Sequence, residues 1–153
     1  MDLRLEAIVI PVSDVDRAKA FYETALGFRV DVDHPAARYE DGLGYRRPGA
    51  AAYRIVQMTP PGSACSIQIG KGLNDVAPGT YQGTYLVTSD LEATRAELVG
   101  RGVEVSEPFH FGPQGQTPGL DPGRRDYNSF VTFSDPDGNG WLIQEIKVHA
   151  PGR

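Results

Sequence analysis

One pattern occurs twice in this chain of 153 residues, and it limits the available folds more than any other feature. Residues 10–16 and 86–92 are each a β-rich run that ends in Ser-Asp and continues into an acidic residue. The serine and the acidic residue have the spacing of a capping box, in which the two side chains satisfy the free amides of a first helical turn. The two pairs are Ser13 with Asp16 and Ser89 with Glu92. The repeat therefore predicts two copies of one strand-helix unit.

The two copies continue alike. Apolar residues recur at helical spacing after each Ser-Asp. We expect the helices to end at Gly27 and at Gly100 or Gly102, because glycine accepts the left-handed conformation of a C-terminal cap. β-branched runs follow at 28–32 and 103–105, which favour a strand after each helix.

Each copy also closes with a predicted hairpin. The first has strands at 53–58 and 64–69 around a proline-rich turn, and the second has strands at 129–134 and 141–146 around a turn that contains Asn139-Gly140. Long connections remain at 33–52 and 109–126. The 18 glycines and 12 prolines fall largely in these turns, connections and helix ends.

These elements predict an α+β fold of two βαβββ modules. Module 1 spans 3–70, module 2 spans 80–147, and a linker at about 71–82 joins them within a single domain of 1–153. The length suits this organisation, because a chain of this size buries roughly 70% of its unfolded surface.

Composition excludes several classes of partner. The 20 acidic residues outnumber the 15 basic ones, for a net charge of -5, which argues against binding a nucleic-acid backbone. No apolar run approaches the ~20 residues that cross a bilayer. The single Cys65 forms no internal disulfide and no Cys-pair zinc site, and the first residues lack the basic and apolar regions of a signal peptide. We therefore expect a cytoplasmic protein with no nucleic-acid or membrane partner.

The motifs resemble those of the vicinal-oxygen-chelate superfamily, which includes glyoxalases, bleomycin-resistance proteins and extradiol dioxygenases. The resemblance rests on residues 10–22, on Leu-Gly-Phe at 26–28, and on Asp-Pro-Asp-Gly-Asn at 135–139 before Trp141, and it covers 5–146. It implies that each module forms a curved mixed sheet around a concave pocket, with the helices on the outer face. It also implies a homodimer.

Enzymes of this superfamily hold a divalent metal with side chains from four strand positions. Two of these positions lie seven residues before the motif aspartate of each module, and here they are Ala7 and Gly83. A third lies three residues after the motif asparagine and is Leu142, so only Gln68 keeps a possible donor. Because an ordinary site needs three or more protein ligands, we predict no standard metal and no cofactor.

A relocated metal site is the alternative. Its donors would be Glu6, Gln68, His110 or Glu145, which lie near the usual positions in the sequence or in the long second connection. Glu6 and Glu145 have the wrong strand parity for the pocket unless a bulge intervenes, whereas Gln144 has the right parity.

Strand parity predicts a pocket with apolar walls, one phenol and amide groups. The candidate ligand-binding residues are Gln68, Tyr85, Leu142 and Gln144, together with Arg125 from a loop placed to close over an anionic ligand. Two alternatives stay open here: a pocket closed by packing, and an exposed charged loop at 124–127. Asp135 and Asp137 are expected to accept local backbone hydrogen bonds within their turn.

The main functional hypothesis is metal-independent binding of a small organic molecule, as in antibiotic-sequestering members of the superfamily. The alternative is an enzyme of the same superfamily, a lyase, isomerase or dioxygenase. It would use the relocated metal, or His110 and Tyr127 as proton-transfer residues. The residues leave the choice between binding and catalysis open. A non-catalytic role in a larger assembly is the third hypothesis, and no amphipathic arm or tail supports it.

Overall fold

Two compact units make up the chain. This computed structural model describes residues 1, 3–34 and 54–151. Unit 1 comprises Met1–Tyr81 and Pro136–Asn139, and unit 2 comprises Gln82–Asp135 and Gly140–Arg153. Most of the connection predicted at 33–52 lies outside the described residues.

The described part of unit 1 contains a four-stranded mixed sheet and one helix. Its strands have the order β1-β4-β3-β2, with β1 parallel to β4 and the other pairs antiparallel. A π-helical turn at Phe21–Ala25 continues the helix. The elements are β1 (Ala7–Val9), α1 (Val15–Ala20), β2 (Arg29–His34), β3 (Arg54–Thr59) and β4 (Ser66–Lys71).

Unit 2 contains a five-stranded mixed sheet and one helix. Its strands have the order β5-β9-β8-β6-β7, with β5 parallel to β9. The elements are β5 (Thr84–Thr88), α2 (Leu91–Gly100), β6 (Phe109–Gly112), β7 (Gly115–Pro118), β8 (Phe130–Ser134) and β9 (Gly140–Glu145). The predicted α+β class is confirmed, with a mixed sheet and a short helix in each unit.

Each unit has its own apolar core. Alternate residues of the strands are buried, which is the pattern of a sheet with one packed face. In unit 1 the buried residues include Ile10, Val15, Ala18, Tyr22, Val56, Met58, Ile67 and Ile69. In unit 2 they include Leu91, Leu98, Val131, Phe133, Trp141 and Ile143.

The helix caps lie one residue later than predicted. Asp14 and Asp90 cap the helices, and their carboxylates accept hydrogen bonds from the amides of Arg17 and Ala93, each at 3.0 Å. A carboxylate at this position satisfies a free amide and also places negative charge at the positive end of the helix dipole. The predicted capping boxes at Ser13 and Ser89 were therefore wrong, although both helices form where expected.

The second half of module 2 also departs from the prediction. The run at 103–105 forms one isolated bridge, between Val105 and Phe133, in place of a strand. The expected loop at 109–126 begins with a hairpin, because Gly112 pairs with Gly115 around a two-residue turn and brings β6 beside β7. This hairpin adds an aromatic strand to the sheet.

The turn before β9 makes long-range contacts that its sequence did not predict. Asp137 accepts hydrogen bonds from the Ser13 amide at 3.1 Å, from the Ser13 hydroxyl, and from the Arg17 guanidinium at 2.9 Å. These contacts lie within unit 1, to which the turn residues 136–139 belong, and the local backbone hydrogen bonds of Asp137 stay a prediction. Within the described part of the chain, no helix is long and apolar enough to cross a membrane.

Candidate functional site

The sheet of unit 2 has one packed face and one open face. Tyr85 pairs with Leu142 across β5 and β9, and Val87 pairs with Gln144. The Tyr85 side chain is 57% exposed and Val87 is 47% exposed, whereas Ile143 on the packed face is 3% exposed. Cross-strand neighbours point to the same side of a sheet, so the open face continues onto β8 and β6. Its residues are Tyr85, Val87, Phe109, Phe111, Phe130, Thr132, Leu142 and Gln144.

Three phenylalanines form an aromatic cluster on the open face. Phe130 is buried beneath the other two rings: it stacks on Phe109 at a centroid distance of 5.5 Å and meets Phe111 edge-on at 5.6 Å. Phe109 and Phe111 also meet edge-on, at 6.0 Å. Offset-stacked and edge-on pairs are the favoured arrangements of aromatic rings, so the cluster presents a firm apolar surface.

Two neighbouring cavities lie along the open face. The first has a volume of about 620 Å³ and the second about 480 Å³, and Ser106 and Thr132 line both. Leu142 lines the first cavity and Phe109 lines the second. Together they form a groove in the size range of small-molecule sites.

All charged residues that line the two cavities are acidic: Glu104 and Asp135 in the first, and Glu107 in the second. The Arg95 guanidinium hydrogen-bonds to the Glu107 carboxylate at 2.5 Å. Glu104 is exposed, and no described residue pairs with its carboxylate. The groove therefore attracts cations and repels anions.

The corresponding face of unit 1 is polar. Ala7 lies beside Ser66, and Val9 beside Gln68, in the pairing of β1 with β4. The Gln68 amide donates to the Gln57 amide oxygen at 2.9 Å, and the Ser66 and Thr59 hydroxyls are 2.7 Å apart. These contacts connect side chains of β3 and β4 into a hydrogen-bonded row.

A bulge in β2 extends this polar row to the edge of the sheet. The pairing of β2 with β3 shifts between Val30 and Val32, which brings the Asp31 carboxylate to the Thr59 hydroxyl, and the two form a hydrogen bond. Arg29 donates to the same carboxylate at 2.6 Å. These contacts, with Thr59 the stronger influence, lower the pKa of Asp31. The row thus ends in an ionised Arg29–Asp31 pair.

The residues at the family's metal positions do not fit a metal ion. Ala7, Gly83 and Leu142 have no donor atoms in their side chains, which leaves only the Gln68 amide oxygen, and one such ligand does not hold a metal ion. Across the described ranges 3–34 and 54–151, no three His, Cys, Asp or Glu side chains cluster closely enough to hold a metal. The described residues therefore do not form the family's metal site.

Glu145, one of the donors considered for a relocated metal site, forms its hydrogen bonds on the packed face of the sheet. It is 1% exposed on the packed face and accepts hydrogen bonds from the Leu91 amide at 3.0 Å and from the Arg124 guanidinium at 2.8 Å. Burial raises the pKa of this carboxyl, but the hydrogen bonds from Arg124, Leu91 and Lys147 outweigh burial and lower it to about 2. Glu145 is therefore an ionised structural group beneath the sheet.

The structure does not bring His110 and Tyr127 together as an acid–base pair. His110 is 8% exposed on the packed side of β6, and its Nδ1 lies 2.8 Å from the Gly119 carbonyl oxygen, to which it donates. The Tyr127 hydroxyl accepts from the Ala150 amide at 2.6 Å. Among the described residues no hydrogen bond joins the two side chains, so the proton-transfer hypothesis gains no support.

Arg125 also has a partner within the protein, the Asp121 carboxylate. Its guanidinium forms two hydrogen bonds to the Asp121 carboxylate, at 2.6 and 3.0 Å. Asp121 is completely buried, so this ion pair anchors the loop at 121–128.

Of the ligand-binding candidates, Tyr85, Leu142 and Gln144 lie together on the open face of unit 2. Gln68 lies in the polar row of unit 1, and Arg125 lies in the anchored loop.

Sequence reasoning missed the aromatic cluster. The alternation Phe109-His110-Phe111 is the period of a strand and was the available signal. We interpreted it as part of a loop because the glycines and prolines that follow dominated the segment.

Comparison with known proteins confirms the resemblance. The sequence model of the glyoxalase/bleomycin resistance protein/dioxygenase superfamily matches residues 4–143. A search of functionally curated proteins found no match.

Several solved structures have the same fold. TnmS3, an antibiotic-binding protein from Streptomyces sp. CB03234, is 28% identical, with 94% of this chain and 96% of that chain covered and a TM-score of 0.67. A glyoxalase/bleomycin resistance protein from the same strain is 29% identical, with coverages of 93% and 100% and a TM-score of 0.64. A superfamily member from Sphaerobacter thermophilus DSM 20745 is 27% identical, with coverages of 95% and 98% and a TM-score of 0.64.

Proposed function

The chain belongs to the glyoxalase/bleomycin resistance protein/dioxygenase superfamily, and from this premise we propose that it binds a small organic molecule on the open face of unit 2. The molecule is neutral or cationic and contains a flat apolar ring system. Binding uses no metal ion. This proposal names the site and the chemical class of the ligand, which family membership alone leaves open.

The observation that carries the proposal is the exposure of large apolar side chains next to the two cavities. Tyr85, Val87 and Phe111 are each about half exposed on one face of one sheet. Leu142 and Phe109 of the same face line the cavities, and exposed apolar side chains beside such a groove favour a binding site there. A flat ring system suits it, because the aromatic cluster offers ring faces and edges for stacking.

A few polar groups on the same face are placed to orient a ligand. The Gln144 amide nitrogen donates to the Tyr127 carbonyl at 2.9 Å, which fixes the side chain. That leaves the Gln144 amide oxygen as an acceptor for a donor on the ligand. The exposed Thr132 hydroxyl offers both a donor and an acceptor between the two cavities.

Charge supports a neutral or cationic ligand. The charged residues of both cavity linings are acidic, and Arg125, the one cation that sequence reasoning assigned to the site, is paired with Asp121. An anionic guest would be repelled by these carboxylates, because no Lys or Arg among the described residues lines either cavity.

The comparisons support small-molecule binding, and the donor chemistry supports binding without a metal. TnmS3, which matches along almost the whole chain, is an antibiotic-binding protein. Three of the four family metal positions here have side chains without donors. The enzymatic alternative has no such support, because His110 and Tyr127 hydrogen-bond to separate partners.

We also propose a homodimer, which light scattering of the purified protein tests.

Fluorescence titration with 1-aminoanthracene, a neutral flat aromatic probe, tests the proposal. We expect saturable binding that is unchanged by excess EDTA. Val87→Ser should weaken binding about fivefold, because it removes ~1 kcal/mol of apolar contact. Val148→Ser is the matched control, since Val148 is exposed but lies outside the open face. Absence of saturable binding, loss of binding in EDTA, or equal affinities of the two variants would contradict the proposal.

A further inference from the structure

Asn128 takes the place of a strand residue opposite Phe111. Phe109 pairs with Phe130, and antiparallel pairing continued by two residues would set residue 128 opposite residue 111. The Asn128 side chain makes both bonds of such a pair with the Phe111 backbone. Its amide oxygen accepts from the Phe111 amide at 3.2 Å, and its amide nitrogen donates to the Phe111 carbonyl at 3.1 Å.

The backbone conformation before Asn128 explains why a side chain, and not a strand backbone, pairs with Phe111. Tyr127 has a φ of 68° and Arg124 a φ of 47°, a left-handed conformation that is unfavourable for residues with side chains. The backbone pairing of β8 with β6 therefore ends at Phe109 and Phe130, although the Tyr127 amide still donates to the Glu145 carbonyl of β9 at 3.0 Å. The side chain of Asn128, and not its backbone, reaches the edge of β6.

Asp121 fixes the orientation of the Asn128 amide. The completely buried Asp121 carboxylate accepts from the Asn128 amide nitrogen at 3.0 Å. Asp121 is itself held by Arg125, and its backbone amide donates to the Ser129 hydroxyl at 3.0 Å. Both hydrogens of the Asn128 amide nitrogen and its oxygen are therefore used, so only one orientation satisfies all three contacts.

We infer that Asn128 is a positioning residue that holds Phe111 in the ligand-binding face, and that Asp121 holds Asn128. The inference rests on the proposed function. Phe111 is 51% exposed, and its ring touches the cluster only through its edge-on contacts with Phe109 and Phe130. Its backbone anchor therefore decides where the ring lies when a ligand binds, which makes the pair Asp121–Asn128 a determinant of ligand affinity.

Fluorine NMR of the ligand-free protein labelled with 4-fluorophenylalanine tests the positioning contact. The chain has six phenylalanines, and the Phe111 signal is assigned by its loss in Phe111→Leu. Asn128→Ala should shift or broaden the Phe111 signal and leave those of Phe21 and Phe28 in place. Asn74→Ala is the control, because it removes a comparable side-chain hydrogen bond, to the Val76 amide. An unmoved Phe111 signal in Asn128→Ala would overturn the inference.

A double-mutant cycle tests the effect on binding. We expect Asn128→Ala to weaken 1-aminoanthracene binding about fivefold in the wild-type background and to have no effect in Phe111→Ala. Equal losses in both backgrounds would show that Asn128 acts independently of Phe111 and would overturn the inference. If the wild type binds no probe while Asn128→Ala still moves the Phe111 signal, the proposed function fails and the positioning contact stands.

Discussion

Glu145, the last residue of β9, accepts a hydrogen bond from the backbone amide of Leu91, the first residue of α2, at 3.0 Å. This contact ties the helix to one face of the sheet and thereby commits the other face to solvent. Since side chains alternate along β9, Leu142 and Gln144 must lie on the side opposite Glu145. The Glu145 contact thus fixes which face of the sheet packs against the helix and which residues form the open face.

The Glu145 contact predicts a pH-dependent stability. The pKa of Glu145 is lowered to about 2, below its ordinary value of 4.5, so its stabilisation is fully present above pH 4.5 and is lost as the pH falls towards 2. Glu145→Gln should lower the free energy of unfolding by about 2 kcal/mol at neutral pH, because an ionised acceptor of several hydrogen bonds is lost. Urea unfolding at several pH values measures this difference, which should shrink below pH 4.5.

Glu92→Gln is the matched control for this prediction. Glu92 contacts the same arginine, Arg124, at 2.8 Å, but its side chain is 64% exposed. An exposed ion pair of this kind contributes about 0.5 kcal/mol. Equal losses for the two variants, or a Glu145 effect that persists unchanged at pH 2, would contradict the assignment.

Asn139 supports the backbone of unit 1. Its amide donates to the Pro11 carbonyl at 2.8 Å and accepts from the Tyr81 amide at 3.2 Å, and the side chain is almost completely buried. Asn139→Ala should lower the free energy of unfolding by about 2 kcal/mol, because two backbone groups lose their partner. Thermal unfolding measures the loss. Glu97→Ala, which removes an exposed pair with Arg101, should change stability by less than about 0.5 kcal/mol; a comparable effect of the two substitutions would argue against this role.

Glu104 should influence which ligands bind. It is the lining carboxylate without a partner among the described residues, so it attracts a cationic guest through solvent. Glu104→Gln should weaken the binding of 9-aminoacridine, a flat cation, about twofold and leave 1-aminoanthracene binding unchanged. Competition titrations at low and high salt measure this selectivity. Glu23→Gln, an exposed carboxylate outside the lining, is the control; an equal loss for both probes would show that Glu104 acts through packing.

Much of the fold was predictable because it depends on local periodicity. The repeated Ser-Asp segments located both helices, and the alternation along β5 and β9 indicated which of their side chains share a face. The cap residues were missed by one position because serine and aspartate are both good N-caps, and only the Ser13 contact with Asp137 decides between them in the first helix.

The remaining features depend on contacts that no short segment contains. Phe111 joins the open face because a two-residue turn after Gly112 returns the chain as β7, and Asn128 reaches it from 17 residues away. Arg125 was interpreted as a ligand contact because its partner, the buried Asp121, is indistinguishable by sequence from an exposed loop aspartate. The position of Phe111 thus depends on the turn after Gly112, and the role of Arg125 depends on the burial of Asp121.

Methyl NMR of the metal-free protein tests the central claim most directly. In EDTA, titration with 1-aminoanthracene should shift the methyl signals of Val87 and Leu142 on the open face. It should leave those of Leu86 and Ile143, their sequence neighbours on the opposite face, unchanged. Shifts confined to Leu86 and Ile143, shifts confined to residues outside unit 2, or a requirement for added metal would contradict metal-free binding on this face.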